Sequence, residues 1–179
     1  EMRNGNTYVG YQLPLGEPFG GPLFLSQYSF IGINPTNLSD RYTPSYFQQN
    51  RIHTLINYEY CKNNPNDYLG YSENSWGLTA SDNYDGYSAH SPVNDLGVIT
   101  PTAALSAFPY TPEESRQALE HFYYQRNDLL WKEFGFIDAF SEEFNWYADG
   151  YLAIDQGPII LMIENYRTQQ LWNLFMQDF

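Results

Sequence analysis

Five of the prolines in this chain constrain its fold more than any other feature, because each stands where a helix can begin. At the first helical position a proline loses nothing, since the N–H it lacks would have no partner there. Gly21-Pro22 opens an apolar run to about Ile33, and Thr43-Pro44 opens a segment from Ser45 to Lys62. Thr100-Pro101 opens a short Ala-rich helix. Thr111-Pro112-Glu113-Glu114 has the form of a capping box with a proline inserted, predicting a helix to about Phe134, before Gly135. Gly157-Pro158 opens Ile159 to Arg167, with Thr168 to Gln177 continuing as helix after a kink. No stretch alternates clearly between turn dipeptides, so the expected class is all-α.

Between the second and third of these helices runs Ser72 to Pro101, which has neither a helical period nor strand alternation. Its centre reads WGLTASD (Trp76–Asp82) and GYSAHSPVND (Gly86–Asp95). A run this long without regular structure, inside a compact domain, is either functional or disordered. Disorder needs few aromatic and apolar residues, and this run has many. It is expected to be an ordered loop lining a cleft.

Composition narrows the partners. At 179 residues the chain suits one domain, or part of a larger one. A net charge of −13, with only 8 Lys and Arg, argues against nucleic acid, whose phosphates demand clustered cations. It argues equally against an anionic membrane surface, and no run approaches the length of a spanning helix. The single Cys61 excludes an internal disulfide and a multi-cysteine zinc site. No metal and no cofactor are expected. The chain opens Glu1-Met2, which reads as a processed or cut start. Aromatic residues make up 18%, with 17 Tyr, which suits either an aromatic core or a sugar-binding surface. Sugar C–H faces stack on rings while the hydroxyls need hydrogen-bond partners.

Two helix entrances place an acid a few residues before Gly-Pro: Glu17 before Gly21-Pro22, and Asp155 before Gly157-Pro158. A carboxylate just outside a helix N-terminus is favoured in its ionised form. Asp155 is the sharper candidate because Tyr151, Leu152, Ile154, Ile159 and Ile160 surround it in sequence. A carboxylate in such company is expected to be partly buried, and burial needs pairing, hydrogen bonding or catalysis to offset it.

YQLPLGEPFGGPLF (Tyr11–Phe24), WGLTASD, GYSAHSPVND, TPTAALSAFPYTPEES (Thr100–Ser115) and YLAIDQGPIILMIENYR (Tyr151–Arg167), taken together and in order, resemble the glucoamylase-like domain family. That family includes bacterial endo-β-1,2-glucanases and the related domain of cyclic β-1,2-glucan synthases. The resemblance covers nearly the whole chain. It implies an (α/α)6 toroid of paired helices, anomer-inverting hydrolysis of a β-glucan, and a periplasmic or secreted setting. The family's toroid is roughly twice as long, so residues 1–179 are expected to form its C-terminal part, with the N-terminal half as a missing partner.

Inverting hydrolysis needs one carboxylic acid on the leaving oxygen and one carboxylate to activate water, about 6.5–9.5 Å apart. Asp155 suits the base. Glu17 and Glu73 are candidates for the acid, with the missing half as a further source. Trp76, Tyr87 and His90 are expected sugar contacts, although His90 equally suits a buried structural role. Asp82 and Asp95 either hold sugar hydroxyls or brace the loop. Arg167 pairs with Glu164 at helical spacing or orients a carboxylate for substrate binding. A non-catalytic glucan-binding protein and a processing domain of a larger synthase remain as alternatives.

Overall fold

The computed structural model describes residues 3–177. The all-α expectation, and the (α/α)6 toroid that came with it, is corrected: among the described residues, four two-stranded antiparallel sheets stand beside the helices. The first sheet pairs β1 (Thr7–Tyr8) with β2 (Tyr11–Gln12). The apolar run after Pro22 is not one helix. It gives α1 (Phe24–Gln27) and then a single 3₁₀ turn, Tyr28–Phe30.

The longest helix is α2 (Tyr46–Asn63), close to its expected bounds. Ser45 caps it by accepting the Gln48 N–H at 3.2 Å, and Asn64 ends it in the left-handed region at φ 44°. Several polar residues on α2 are buried and therefore need partners. Asn57 meets this need with both ends of its amide, accepting from Leu78 N at 3.0 Å and donating to Leu78 O at 3.1 Å. That clamp fixes the start of the Ser72–Pro101 segment.

The segment is ordered, but it is not without strands. β3 (Ala80–Asn83) pairs with β4 (Gly86–Ala89) in a hairpin that sets Asp82 opposite Tyr87. Its turn is held by the Asn83 side chain, which accepts the Asp85 N–H at 2.8 Å, and Gly86 takes φ 124°. Polar and small residues on both strands hid this hairpin from a search for apolar alternation.

Next comes α3 (Pro101–Leu105), a buried helix that packs against α4 (Pro112–Glu120) and α6 (Ala153–Thr168). Gly77, at φ 128°, lies so close to α3 that an added Cβ would stand 2.9 Å from Ala103 Cβ. Helix α4 starts at Pro112 as expected, but Thr111 does not cap it: its hydroxyl faces Ala107 O and Ser115. Nor does α4 run on to Phe134. A wide π turn (His121–Gln125) leads to α5 (Asn127–Leu130) and the β5 (Trp131–Lys132)–β6 (Gly135–Phe136) hairpin.

β7 (Phe140–Ser141) and β8 (Trp146–Tyr147) form the last sheet. Ile99 and Phe140 exchange two backbone hydrogen bonds at 2.9 Å, which ties the end of the Ser72–Pro101 segment to the first residue of β7. Helix α6 begins at Ala153, ahead of Gly157-Pro158, so that Pro158 lies inside it, and Gln169, at φ 57°, separates it from α7 (Gln170–Phe175). The main core gathers Trp76, Leu78, Ile99, Leu105, Phe122 and Phe140 with others; Tyr110, Met162 and Trp172 form a smaller one.

Candidate active site

Helix α6 carries Asp155 at the third position of its first turn. The Asp155 carbonyl accepts from the Thr102 hydroxyl of α3 at 2.5 Å, and the side chain points inward, only 1% exposed. The Tyr28 hydroxyl, from the 3₁₀ turn, donates to Asp155 Oδ1. A second buried acid, Asp138, lies in hydrogen-bond contact with the Asp155 carboxyl group and is also 1% exposed. Asp138 is set by backbone pairing, its N–H to Gly150 O at 3.3 Å and the next residue's carbonyl to Ala148 N at 3.0 Å. Its Oδ2 accepts the backbone N–H of Asp82 at 2.8 Å. Across the hairpin from Asp82, Tyr87 is 58% exposed, and both residues act electrostatically on the buried pair. The site is thus three aspartates and two tyrosines drawn from α6, the β6–β7 link, the β3–β4 hairpin and the 3₁₀ turn.

Its electrostatics follow from crowding acids away from water. Burial pushes the Asp138 carboxyl up to about 7, and the neighbouring Asp155 and Asp82 add to that rise. Burial also raises Asp155 above the ordinary carboxylate range, against the pull of the Tyr28 and Asp138 hydrogen bonds. A position near a helix N-terminus was expected to keep Asp155 in its ionised form; here desolvation outweighs it. Burial and the Asp155 charge hold the Tyr28 phenol well above its usual range.

The other candidate residues lie apart from this cluster or are committed elsewhere. Glu17 is exposed and leans over Gly21, where an added Cβ would meet its Oε2 at 2.8 Å. Glu73 is exposed in a tight turn, with Tyr58 and Lys62 as its electrostatic neighbours. Trp76 has no face free for a sugar: it is fully buried in the core, edge-on to Tyr58, with its indole N–H on Glu114 O. His90 is likewise fully buried, and burial drives its imidazole down to about 4. Asp95 is a brace. It accepts from Tyr71 at 2.6 Å, from Tyr60 and the Gly97 N–H at 3.0 Å, and from Asn66 at 3.2 Å. Arg167 is exposed on the last turn of α6 and pairs with Glu164 at 3.5 Å. Twelve residues of helix put it about 18 Å along the axis from Asp155, out of reach of that carboxylate.

Sequence reasoning missed Asp138 and Tyr28. The Asp138 signal was present in Phe136-Ile137-Asp138-Ala139-Phe140, an acid enclosed by apolar residues in the same way as Asp155. Tyr28 gave no such signal, because its contact with Asp155 spans 127 residues of sequence. Away from the acids, a cavity of about 440 Å³ is lined by Leu25, Ser26, Tyr42, Tyr46 and His53, among others. His53 there is bonded to Ser26 at 2.6 Å and to Gly21 O at 3.0 Å, and burial lowers its pKa to about 4.

Comparison with known proteins agrees with this architecture. The Glycoamylase family model, described as "Putative glucoamylase", matches residues 1–178. An exo β-1,2-glucooligosaccharide sophorohydrolase (non-reducing end) from Parabacteroides distasonis is 47% identical over 175 residues, 97% of this chain and 24% of the relative. A Bacteroides uniformis crystal structure, described in the family's words, superposes with a TM-score of 0.96 at 58% identity, covering 98% of this chain and 43% of that one. An endo-β-1,2-glucanase from Chitinophaga pinensis, in complex with sophorotriose and glucose, gives a TM-score of 0.94 at 51% identity with the same coverage. The chain therefore spans less than half the length of these relatives. By the extent of the family match and the identity of these relatives, it belongs to the Glycoamylase family.

Proposed function

We propose that the chain forms part of a glycoside hydrolase acting on β-1,2-linked glucan, with Asp155 as the base that activates water. The observation that carries this reading is the Asp138–Asp155–Tyr28 cluster, a buried carboxyl pair with one phenolic donor beside the exposed ring of Tyr87. A stable fold gains little from two buried acids in contact, since each loses its hydration and neither brings a countercharge. A carboxylate of raised basicity is what proton abstraction from water requires near neutral pH. The relatives named as β-1,2-glucan hydrolases support the substrate class.

In the proposed reaction Asp155 takes a proton from a water molecule as the water oxygen bonds to the anomeric carbon. The glycosidic C–O bond breaks on the opposite face, and a carboxylic acid gives its proton to the leaving oxygen. Asp138 is not that acid: it touches Asp155, whereas an inverting pair stands about 6.5–9.5 Å apart. Glu17 and Glu73 are exposed and take no part in the Asp138–Asp155–Tyr28 contacts, and the acid is assigned to neither of them here. Asp82 and Tyr87 form the sugar-facing wall, with the Tyr87 ring as the stacking surface.

The test is release of reducing ends from linear β-1,2-glucan by the protein and by its Asp155→Asn variant. The variant is expected to bind the glucan and to lose about 10³-fold in kcat, the scale of a lost general base. Full activity in the variant would remove Asp155 from the mechanism. Absence of hydrolysis by the unaltered protein, with binding retained, would instead favour a non-catalytic glucan-binding protein. Product lengths separate the two relatives' modes, sophorose alone for exo cleavage and a range of oligosaccharides for endo cleavage.

A further inference from the structure

Each carboxyl group of the buried pair leaves one oxygen without a conventional donor. Asp138 Oδ2 is held by the Asp82 N–H and Asp155 Oδ1 by the Tyr28 hydroxyl. Asp138 Oδ1 and Asp155 Oδ2 are buried and have no partner so long as both groups are counted as acceptors only. Yet the two groups are in hydrogen-bond contact. Two carboxylate oxygens cannot bond each other unless one carries a proton. A single proton shared between the two groups would supply the donor that this contact lacks.

Which residue keeps the proton follows from the donors on either side. Asp155 already receives a phenolic hydrogen bond, which stabilises negative charge on it, while Asp138 receives a weaker backbone N–H. We propose that Asp138 is a positioning residue: it retains one proton, donates it to Asp155 Oδ2, and with Tyr28 holds the Asp155 carboxylate in its working orientation. Asp138 touches no substrate. It acts by fixing Asp155 and by keeping the pair a monoanion. Once Asp138 loses its proton, two carboxylates face each other across one hydrogen-bond length, repel, and give up the orientation that Tyr28 alone cannot hold.

The groups that bear on Asp138 come from every wall of the site. They are Asp155 from α6, Asp82 from β3, and the phenols of Tyr28 and Tyr87, which also feel its charge. All are acids or phenols. Added negative charge around the pair favours retention of the shared proton, and the rise of Asp138 to about 7 agrees with that.

This inference rests on the reading of Asp155 as the base, and its test has two independent arms. The first is the pH profile of kcat/KM on β-1,2-glucan for the unaltered protein and for Asp138→Asn. Asparagine keeps the acceptor for Asp82 N and a donor for Asp155 Oδ2, but it cannot ionise. The unaltered protein is expected to lose activity about tenfold per pH unit above pH 7, as for one essential acid; in the variant this fall is absent, and kcat/KM at pH 6 drops by less than about tenfold. An alkaline fall that is the same in both proteins, or a variant inactive at every pH though folded, would overturn the proposal. The second arm is infrared difference spectroscopy between pH 6 and pH 9 on the unaltered protein, without substrate. A buried carboxylic-acid band present at pH 6 and lost at pH 9 is expected; its absence at pH 6 would overturn the shared proton. A protein that shows the band but hydrolyses no glucan would sink the enzymatic reading and leave the proton-sharing pair intact.

Discussion

Asp95 and Asp155 are both partly or fully buried aspartates in polar surroundings, and they are supplied in opposite ways. Asp95 sits among Tyr60, Tyr71, Asn66 and the Gly97 N–H, four donors for one carboxylate. Asp155 has one phenol and, as its other neighbour, a second acid. A carboxylate whose lone pairs are filled by fixed donors is a joint: it holds Asp95 to α2 and to Tyr71, and has nothing left to offer a ligand. A carboxylate short of donors keeps a lone pair free for chemistry and costs the fold something to keep. On the proposed reading of Asp155 as the base, the count of donors, more than depth of burial, separates a brace from a reactive group.

Breaking the brace should produce the largest change in stability. Asp95→Ala removes four acceptor interactions and leaves the buried Tyr71 hydroxyl without its shortest bond. A loss of about 3 kcal/mol is expected in chemical unfolding, with activity per folded molecule within about twofold of the unaltered protein. A variant with full stability would show that the four contacts do not act as a joint.

The acid pair should give the opposite sign. Asp138 has a folded pKa of about 7, above its ordinary value of 3.8. The folded state therefore holds a proton that the unfolded chain has released, and the stability this gives is fully present below about pH 4. It is lost as pH rises through about 7. Asp138→Asn removes that dependence, so the variant should gain about 2 kcal/mol on the unaltered protein between pH 4 and pH 8, a figure reduced for solvent screening. Parallel stability curves for the two proteins across that range would contradict the assignment.

The smallest effect belongs to the exposed ring of the site. Tyr87→Ala takes away a stacking face without disturbing either carboxylate, so KM for the glucan should rise about tenfold with little change in kcat. An unchanged KM would move the sugar-binding wall away from the hairpin.

Much of the helical frame could be read from the sequence because its signals are local. Thr43-Pro44 and Ser45 located α2, and Pro101 and Pro112 marked the starts of α3 and α4. Asp155 also stood out locally, an acid among apolar neighbours, and the segment containing Asp82 and Tyr87 was marked as ordered. What escaped was decided at long range. The β3–β4 hairpin is built from Ala, Ser, Asp and Gly, and its pairing relies on turn geometry and on the Asn57 clamp at its base more than on apolar alternation. Trp76 looked like a stacking platform, but it is fully buried in the core, edge-on to Tyr58 of α2. Asp138 was overlooked because it falls beyond the helix predicted to end at about Phe134, in a stretch with no helix-start signal that lies between two hairpins.

Helix α3, only five residues long, meets both the stretch that leads into the β3–β4 hairpin and the first turn of α6. Gly77 lies flat against Ala103 on one side, and Thr102 grips the Asp155 carbonyl on the other. The stretch before the hairpin and the first turn of α6 are therefore mounted on a common keel. A bulkier residue at position 77 would press on that keel and spoil the alignment of a carboxylate it never touches.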